Sequence, residues 1–383
     1  MGILYFILAV LIVIMIHEAG HFTAAKTLGF KATKFFVGFG PAIWSTKKGE
    51  TEYGVALIPA GGYVKIVGMN PYEEVPPEDQ PRSYPNKPLW QRAIVILSGP
   101  ATHWPLAFLV LFFAFTTFGF PTDQATNSVA IVEPASPAAG AGLKPGDEIV
   151  AVEGQPTESW DETRQVIRSH ANETVEFTVV RDAKRVDVQV PLGSALFDTD
   201  GSLIKGVGPG ETVPDPKPGQ EVTGYLGVSP EPEMNHSPIN AAKQSATGVW
   251  DITYQSVTRL GDVFAPLFNG DLLDAVRGQG ERPQGVGLVG AGRIAGQAVD
   301  AGRFLEFFEF LAVLTIFIGI MNLLPLPPLD GGHLVVLAIE KIRGKPVDMR
   351  KVIPVAAAVI SFFLILFLAF LYLDLVRPID VPF

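Results

Sequence analysis

The chain has 383 residues, of which 48% are hydrophobic and 18% charged, where soluble globular proteins carry about 25% charged residues; this deficit excludes a soluble enzyme, a disordered chain and a fibrous protein. It contains no cysteine, which excludes disulfides, thiolate metal sites and a cysteine nucleophile. The formal net charge is −10, and residues 121–303, with 14 basic against 25 acidic side chains and so a net of −11, hold the acidic excess, which argues against a nucleic-acid partner.

Four stretches are apolar over about the 20 residues that a helix needs to cross a bilayer. Glu18 is the only charged residue between Gly2 and Ala25, and no Asp, Glu, Lys or Arg occurs in residues 93–122, 310–329 or 352–373. We therefore predict a multi-pass α-helical membrane protein. Its four transmembrane helices are expected at residues 1–27, 93–120, 304–331 and 352–376.

The segments between these helices set the predicted orientation. Lysines and arginines flank the apolar stretches in residues 28–92 and 332–351, and the positive-inside rule assigns both loops to the cytoplasm. The N-terminus, the C-terminus and residues 121–303 are then expected outside the cytoplasm.

The first predicted helix carries polar residues that suit a metal site. His17, Glu18 and His21 form an H-E-x-x-H pattern, in which both histidines share one helix face and can bind one Zn²⁺ while Glu18 is placed as general base. Ionisable residues within hydrocarbon are costly and functional by default. A polar contact between helices is the alternative.

Residues 28–92 contain one segment with β character. The apolar, β-branched runs of residues 50–69 flank Pro59-Ala60-Gly61-Gly62, which predicts a β-hairpin with its turn there. Its apolar face favours a membrane-reentrant hairpin, packed against protein or a wet cavity. A hairpin at the surface is the alternative.

Residues 121–236 are expected to form an extracytoplasmic α/β domain with its core at 128–192, joined to the second helix by a short linker at 120–127. The string GLKPGDEIVAVEG at 142–154 resembles PDZ domains of the bacterial protease type, which bind extended peptides at a sheet edge. Tyr225-Leu226-Gly227-Val228 has the composition of a PDZ binding loop, with an ordinary strand as the alternative. In residues 237–303 we predict an amphipathic helix at 237–261, followed by a glycine-rich segment at 283–296 that is too irregular for a helix.

Asp330 is the candidate third zinc ligand. Three prolines (Pro325, Pro327 and Pro328) must end the third helix, and they place this carboxylate on irregular backbone near membrane depth, which is tolerated only in a lined cavity. His17 and His21 lie roughly 22–28 Å along the first helix, so both ligand sets approach the cytoplasmic half of the bilayer. A cap on a helix that begins near His333 is the alternative.

These motifs are similar to those of the site-2 protease family, the intramembrane zinc metalloproteases, and above all to the bacterial members that cleave anti-sigma factors. The matching motifs occur in the family's order: HEAGH at 17–21, GFG at 38–40, GGYVK at 61–65, SGP at 98–100 and NLLPLPPLDGGH at 322–333. The resemblance implies one zinc ion per chain held by His17, His21 and Asp330, with Glu18 as the catalytic acid/base. It also implies substrate binding by Asn322 and by the strand with Gly61, Gly62 and Tyr63.

His103 departs from the family pattern, because many relatives have asparagine at this position after the SGP motif. In the family that asparagine is thought to assist substrate or oxyanion binding, and we predict the same for His103. A fourth, inhibitory zinc ligand and a polar contact between helices are the alternatives.

The predicted function is a zinc metalloprotease of the bacterial inner membrane that hydrolyses peptide bonds within transmembrane segments. Its expected partners are a single-pass membrane protein such as an anti-sigma factor after a first extracytoplasmic cleavage, a peptide or substrate segment at the PDZ domain, and the lipid bilayer. The alternative is a PDZ-bearing membrane scaffold whose metal is structural or lost. Glu18 distinguishes the two hypotheses, because a structural site needs no general base.

Overall fold

The computed structural model describes residues 2–199, 202–279 and 286–378, except the side chain of Ala60. The chain divides into two compact units: Met1–Gly119 with His236–Phe383, and Phe120–Asn235. In the described residues the α-helices are α1 (Gly2–Thr27), α2 (Leu89–Ala101), α3 (His103–Phe118), α4 (Pro137–Ala141), α5 (Trp160–Ser169), α6 (Pro238–Thr258), α7 (Leu260–Phe268), α8 (Asp271–Val276), α9 (Leu288–Asp300), α10 (Phe304–Asn322), α11 (Asp330–Arg343) and α12 (Ile353–Val376). The strands are β1 (Ala32–Lys48), β2 (Thr51–Ile66), β3 (Phe120–Val132), β4 (Glu148–Val152), β5 (Gln155–Pro156), β6 (Thr174–Arg181), β7 (Lys184–Pro191), β8 (Gly193–Phe197), β9 (Leu203–Val207), β10 (Glu221–Tyr225) and β11 (Val228–Asn235).

The four predicted membrane helices are confirmed. Among the described residues, the spans long and apolar enough to cross a bilayer are Gly2–Thr27, Leu89–Phe118, Phe304–Asn322 and Met349–Val376. The second span starts before residue 93 and consists of α2 and α3, which meet at Thr102. Pro100 has no backbone N–H to donate, which weakens the ladder at this break.

The predicted hairpin turn at residues 59–62 is wrong. β2 continues through these residues, and the chain reverses at Gly49-Glu50 instead. Val37 pairs with both Gly62 and Val55. This part of β1 therefore lies between the two halves of residues 50–69, which were expected to pair with each other.

The true turn is fixed by charge and by glycine conformation. Gly49 has φ of 65°, a left-handed conformation that favours glycine. Glu50 beside it accepts hydrogen bonds from Arg82 at 2.7 Å and from Lys26 at 2.5 Å. These two partners lower the pKa of Glu50 to about 2, so the carboxylate stays ionised at neutral pH.

The third and fourth membrane segments differ from the predicted bounds. α10 ends at Asn322, well before residue 331, and most of the predicted loop at 332–351 is the helix α11. The prolines end α10 as expected. α11 then begins at Asp330, three residues before His333. A carboxylate in the first turn of a helix interacts favourably with the helix dipole.

The glycine-rich segment expected to be irregular is helical from Leu288, and residues 283–285 of that segment lie outside the described residues. The Asp374 carboxylate of α12 accepts the backbone N–H of Gly290 at 2.7 Å. This contact satisfies an N–H that a helix start leaves without an internal partner. The predicted amphipathic helix at 237–261 is confirmed as α6.

Residues 128–192, the predicted core of an α/β domain, contain both helices (α4 and α5) and strands (β3 to β7). The larger sheet of the second unit has the order β11-β3-β4-β6-β7, with β5 paired to β4, and its smaller sheet has the order β10-β8-β9. Val129, Ile149, Phe177 and Val179 are fully buried in the core. The expected linker at 120–127 is wrong, since it is the first half of β3 and pairs with β11.

Asp147 forms a buried ion pair that we expect to stabilise the second unit. Arg181 donates to both of its carboxylate oxygens at 2.6 Å, and the Lys144 N–H donates to it at 2.8 Å. Burial raises the pKa of Asp147, but these donors outweigh it and the pKa is lowered. Because folding lowers this pKa, the stabilisation is complete above a pH of about 4 and is lost as the pH falls further.

Asp147→Asn is therefore expected to destabilise the second unit by about 2 kcal/mol, because the buried side chain loses the charge that strengthens its hydrogen bonds with Arg181. Pulse proteolysis of the intact chain in urea at pH 7 measures the loss. The control is Asp161→Asn, which removes an ion pair whose carboxylate is 80% exposed and should change stability by less than about 1 kcal/mol. Equal losses in the two variants would contradict the prediction.

Candidate active site

Three side chains from two distant parts of the chain converge in the membrane unit. His17 and His21 lie one turn apart on α1, and Asp330 is the first residue of α11. His17 Nε2 and His21 Nε2 are 3.1 Å apart, and each is 3.3 Å from Asp330 Oδ2. Among the described residues this is the one group of three or more His, Cys, Asp or Glu that could hold a metal ion.

The hydrogen bond of His21 fixes the protonation of its ring. His21 Nδ1 lies 2.7 Å from the carbonyl oxygen of Val95 on α2. A carbonyl only accepts, so Nδ1 carries the proton and donates, and Nε2 keeps its lone pair. This is the arrangement in which metal-binding histidines are usually held.

The geometry of the three atoms fits a zinc ion. Asp330 Oδ2 is buried and has no hydrogen-bond partner, although two ring nitrogens lie 3.3 Å away. Metal binding requires neutral ring nitrogens, and with both Nε2 atoms unprotonated the three lone-pair atoms repel one another unless a cation lies between them. Zn–N and Zn–O bonds of about 2.0–2.1 Å in a tetrahedron place the ligand atoms about 3.4 Å apart, close to the observed spacing.

A cavity of about 290 Å³ opens onto these residues. Its wall includes Glu18, Tyr63, Asn322 and His333 together with the three metal-binding candidates. Asn322 Nδ2 donates one hydrogen bond to the Ile318 carbonyl oxygen at 3.0 Å, and its second amide hydrogen is available in the cavity. The cavity therefore combines a carboxylate, an amide and space for a peptide segment.

The predicted substrate-binding residues are only partly brought together. Tyr63 and Asn322 line the cavity, and a Cβ added to Gly62 would lie 3.2 Å from Glu18 Cγ. Gly61 does not line this cavity but a neighbouring groove along α1.

The placement of His103 corrects its assignment to substrate binding. The residue is 1% exposed, and its Nε2 lies 3.0 Å from His17 Nδ1, on the side of the His17 ring that faces away from Asp330. His103 therefore makes a polar contact between helices, which was one of the two alternatives. When His17 Nε2 holds a metal, His17 Nδ1 carries the proton and donates to His103 Nε2.

Glycines allow the helices to approach closely enough for these contacts. A Cβ at Gly319 of α10 would lie 2.8 Å from His103 Cβ, and one at Gly99 of α2 would overlap the His21 ring. Gly319 and Val95 were not among the residues predicted from the sequence. A single glycine in an otherwise apolar helix is a signal for Gly319, because small residues mark close helix packing in membranes, whereas a backbone acceptor such as Val95 has no signal in the sequence.

A buried ion pair connects the helices that support the site. Arg92 of α2 donates to Glu340 of α11 at 2.7 Å, and both side chains are less than 10% exposed. α2 supplies the carbonyl that holds His21, and α11 begins with Asp330. The pair therefore fixes two supports of the site relative to each other.

Comparison with known proteins agrees with this geometry. Residues 5–368 match the family model described as Peptidase family M50. The chain is 33% identical to the zinc metalloprotease Rip1 of Mycobacterium tuberculosis, over 99% of this chain and 98% of the relative. It is 31% identical to Rip1 of Mycolicibacterium smegmatis over the same shares, and 27% identical to the zinc metalloprotease RasP of Geobacillus kaustophilus over 91% of this chain and 92% of that one.

The resemblance to the site-2 proteases, the expected enzymatic activity and the zinc cofactor are thereby confirmed. Three side chains that could hold a metal ion, two of them on a candidate membrane helix, and a family match over nearly the whole chain lead to one conclusion. The chain is a zinc metalloprotease that belongs to peptidase family M50, the site-2 proteases.

Proposed function

We propose that the protein cleaves peptide bonds within the transmembrane segments of single-pass membrane proteins, such as anti-sigma factors that have already lost an extracytoplasmic part. The observation that supports this most strongly is the depth of the site. His17, Glu18 and His21 lie on a helix of 26 residues that is long and apolar enough to cross a bilayer. A substrate bond that reaches Glu18 must itself lie within the membrane.

In this proposal His17, His21 and Asp330 hold one zinc ion, which when bound supplies Lewis acidity and lowers the pKa of a water to about 7. Glu18 accepts a proton from the water that attacks the scissile carbonyl, and it returns the proton to the leaving nitrogen as the C–N bond breaks. Its place on the cavity wall beside the cluster suits that transfer.

The strand edge next to Glu18 is proposed to hold the substrate backbone. A transmembrane helix hides its peptide bonds in internal hydrogen bonds, so it must be unwound before hydrolysis. Residues 62–65 of β2 pair with β1 on one edge, and no strand among the described residues covers the other. An unwound segment can add to that edge, with Gly61, Gly62 and Tyr63 along it and Asn322 across the cavity.

The scaffold alternative fits the site less well. A structural zinc site is closed by four protein ligands, whereas three residues converge here among those described. His103, the fourth candidate, faces the Nδ1 side of His17. The cluster of three candidate ligands beside the Glu18 carboxylate therefore favours catalysis.

We also propose that the second unit acts as a PDZ domain that binds a peptide or a substrate segment. Tyr225 ends β10 and Val228 begins β11, so Leu226-Gly227 forms the connection. A groove of about 320 Å³ lies between this connection and α5, with Trp160, Arg164 and Arg168 on its helix side. The groove offers the edge of β11 and one helix face, as peptide addition to a sheet requires.

The proposed orientation predicts the result of a topology experiment. The basic flanks place the loop 28–92 and the residues 332–351 in the cytoplasm, and the second unit with both termini outside it. A reporter that is active only outside the cytoplasm should be active at Gly193 and silent at Glu78, while a cytoplasmic reporter should give the opposite pattern. The reverse pair of signals would contradict the orientation.

Coexpression with candidate substrates tests the proposed function. Single-pass membrane proteins trimmed to short extracytoplasmic tails should yield fragments cut within their transmembrane segments when the unaltered protein is present, and none with Glu18→Gln. The cut position is measured by mass spectrometry of the fragments. Cleavage confined to segments outside the membrane would contradict the proposal.

A further inference from the structure

Two apolar grooves lie along α1, on different faces of the helix. The α1–α9 groove has a volume of about 460 Å³, and Ile3, Ile7, Leu11 and Ile14 of α1 face Leu288 of α9 across it. The α1–α3 groove has a volume of about 370 Å³, with Leu8 and Ile12 of α1 on one wall and residues of α3 and α10 on the other.

The α1–α9 groove leads to Glu18. Residues three or four apart share a helix face, so Ile7, Leu11, Ile14 and Glu18 form one stripe along α1. A Cβ added to Gly62 would contact both Glu18 Cγ at 3.2 Å and Ile14 Cγ2 at 4.0 Å. The groove thus ends where the free edge of β2 and the Glu18 carboxylate meet.

The α1–α3 groove leads to a closed part of the site. Val13 of α1 and Leu106 of α3 lie in its wall. His17 lies one helical turn after Val13, and His103 lies one turn before Leu106. These two rings contact each other and are 8% and 1% exposed. A segment in this groove would meet the buried side of His17 and would be separated from Glu18 by α1.

We infer that the transmembrane helix of the substrate binds in the α1–α9 groove, with its unwound part continuing onto the edge of β2. This inference rests on the proposed function. A substrate that arrives through the bilayer must follow a lipid-facing surface that continues to Glu18, and of the two grooves only this one does. None of the described residues that line it is charged, and Gly292 of α9 and Gly61 of β2 are among them, where small residues permit close helix approach.

The absence of cysteine from the chain allows a matched crosslinking test in the full-length protein. Ile7 and Leu8 are adjacent and both 48% exposed, but they line different grooves. Each is replaced singly by cysteine in a Glu18→Gln background, and a substrate with one cysteine in its transmembrane segment is coexpressed and oxidised mildly. We expect a disulfide-linked band of enzyme and substrate with Ile7→Cys and no such band with Leu8→Cys.

Cleavage by variants that retain Glu18 gives an independent measurement. Ile7→Trp fills the proposed groove and should slow cleavage while zinc content stays unchanged, whereas Leu8→Trp should cleave at the unaltered rate. Equal crosslinking at both positions would mean that the α1–α9 groove is covered only by lipid and that crosslinks arise from random collisions. Crosslinking at Leu8 alone would mean that the substrate binds in the α1–α3 groove. Either result overturns the inference yet leaves cleavage intact, whereas failure of the proposed function would abolish intramembrane cleavage in every variant.

Discussion

Asp330→Ala, like His17→Ala and His21→Ala, is expected to yield protein without bound zinc, while Glu18→Gln is expected to retain one zinc per chain and lose hydrolysis. The three ligand candidates converge within 3.3 Å of one another, so each removal leaves two ligands and an open geometry. Glu18 lies on the cavity wall outside that cluster. Loss of a general base costs about 10²–10⁴-fold in rate.

Metal analysis of purified variants, together with cleavage assays, separates the two classes. His333→Ala is the matched control, because His333 lines the same cavity while its Nδ1 lies 3.3 Å from the Leu329 carbonyl oxygen and it is not part of the converging group. It should keep its zinc. A full complement of zinc in Asp330→Ala would show that the third ligand is another residue.

His103→Ala is expected to weaken zinc binding by about 10–100-fold, as loss of a partner behind a metal-binding histidine does. With zinc on His17 Nε2, the ring of His103 would accept the proton of His17 Nδ1 and so keep the lone pair on Nε2. Competition with a chelator of known affinity measures the change without any need for a substrate. His103→Gln retains a side-chain acceptor and should restore part of the affinity.

Gly319→Ala serves as a second variant that does not alter either histidine. Its added methyl group would lie 2.8 Å from His103 Cβ, so it should displace the ring and weaken zinc binding in the same direction. Gly261→Ala is the control, because an added Cβ there meets nothing within 4 Å. Unchanged zinc affinity in both His103→Ala and Gly319→Ala would mean that His103 only fills space between the helices.

The parts of the molecule that follow from local pattern could be predicted from the sequence. The four apolar spans depend on about 20 consecutive side chains each. The pairing of His17 with His21 depends on helix periodicity alone. Asp330 could be connected to them because the three prolines before it predict a break in the helix at a depth where irregular backbone is tolerated only in a cavity.

The parts that depend on contacts between distant segments could not be predicted. The order of the β1 and β2 segments within their sheet depends on Val37, which pairs with two partners. No local sequence pattern predicts that one strand lies between two others. α9 is rich in glycine, yet it is helical beside Asp374 of α12, since tertiary contacts override a weak propensity. His103 has the same local sequence whether it faces a cavity or a neighbouring ring.

The ion pair between Arg92 and Glu340 joins residues 248 positions apart, and this separation has a consequence for biosynthesis. The ribosome synthesises the H-E-x-x-H helix long before it adds Asp330 and Glu340. A nascent or truncated chain that lacks α11 carries the general base without the third ligand and without the brace between α2 and α11. The three candidate ligands can therefore come together only after α11 has been synthesised.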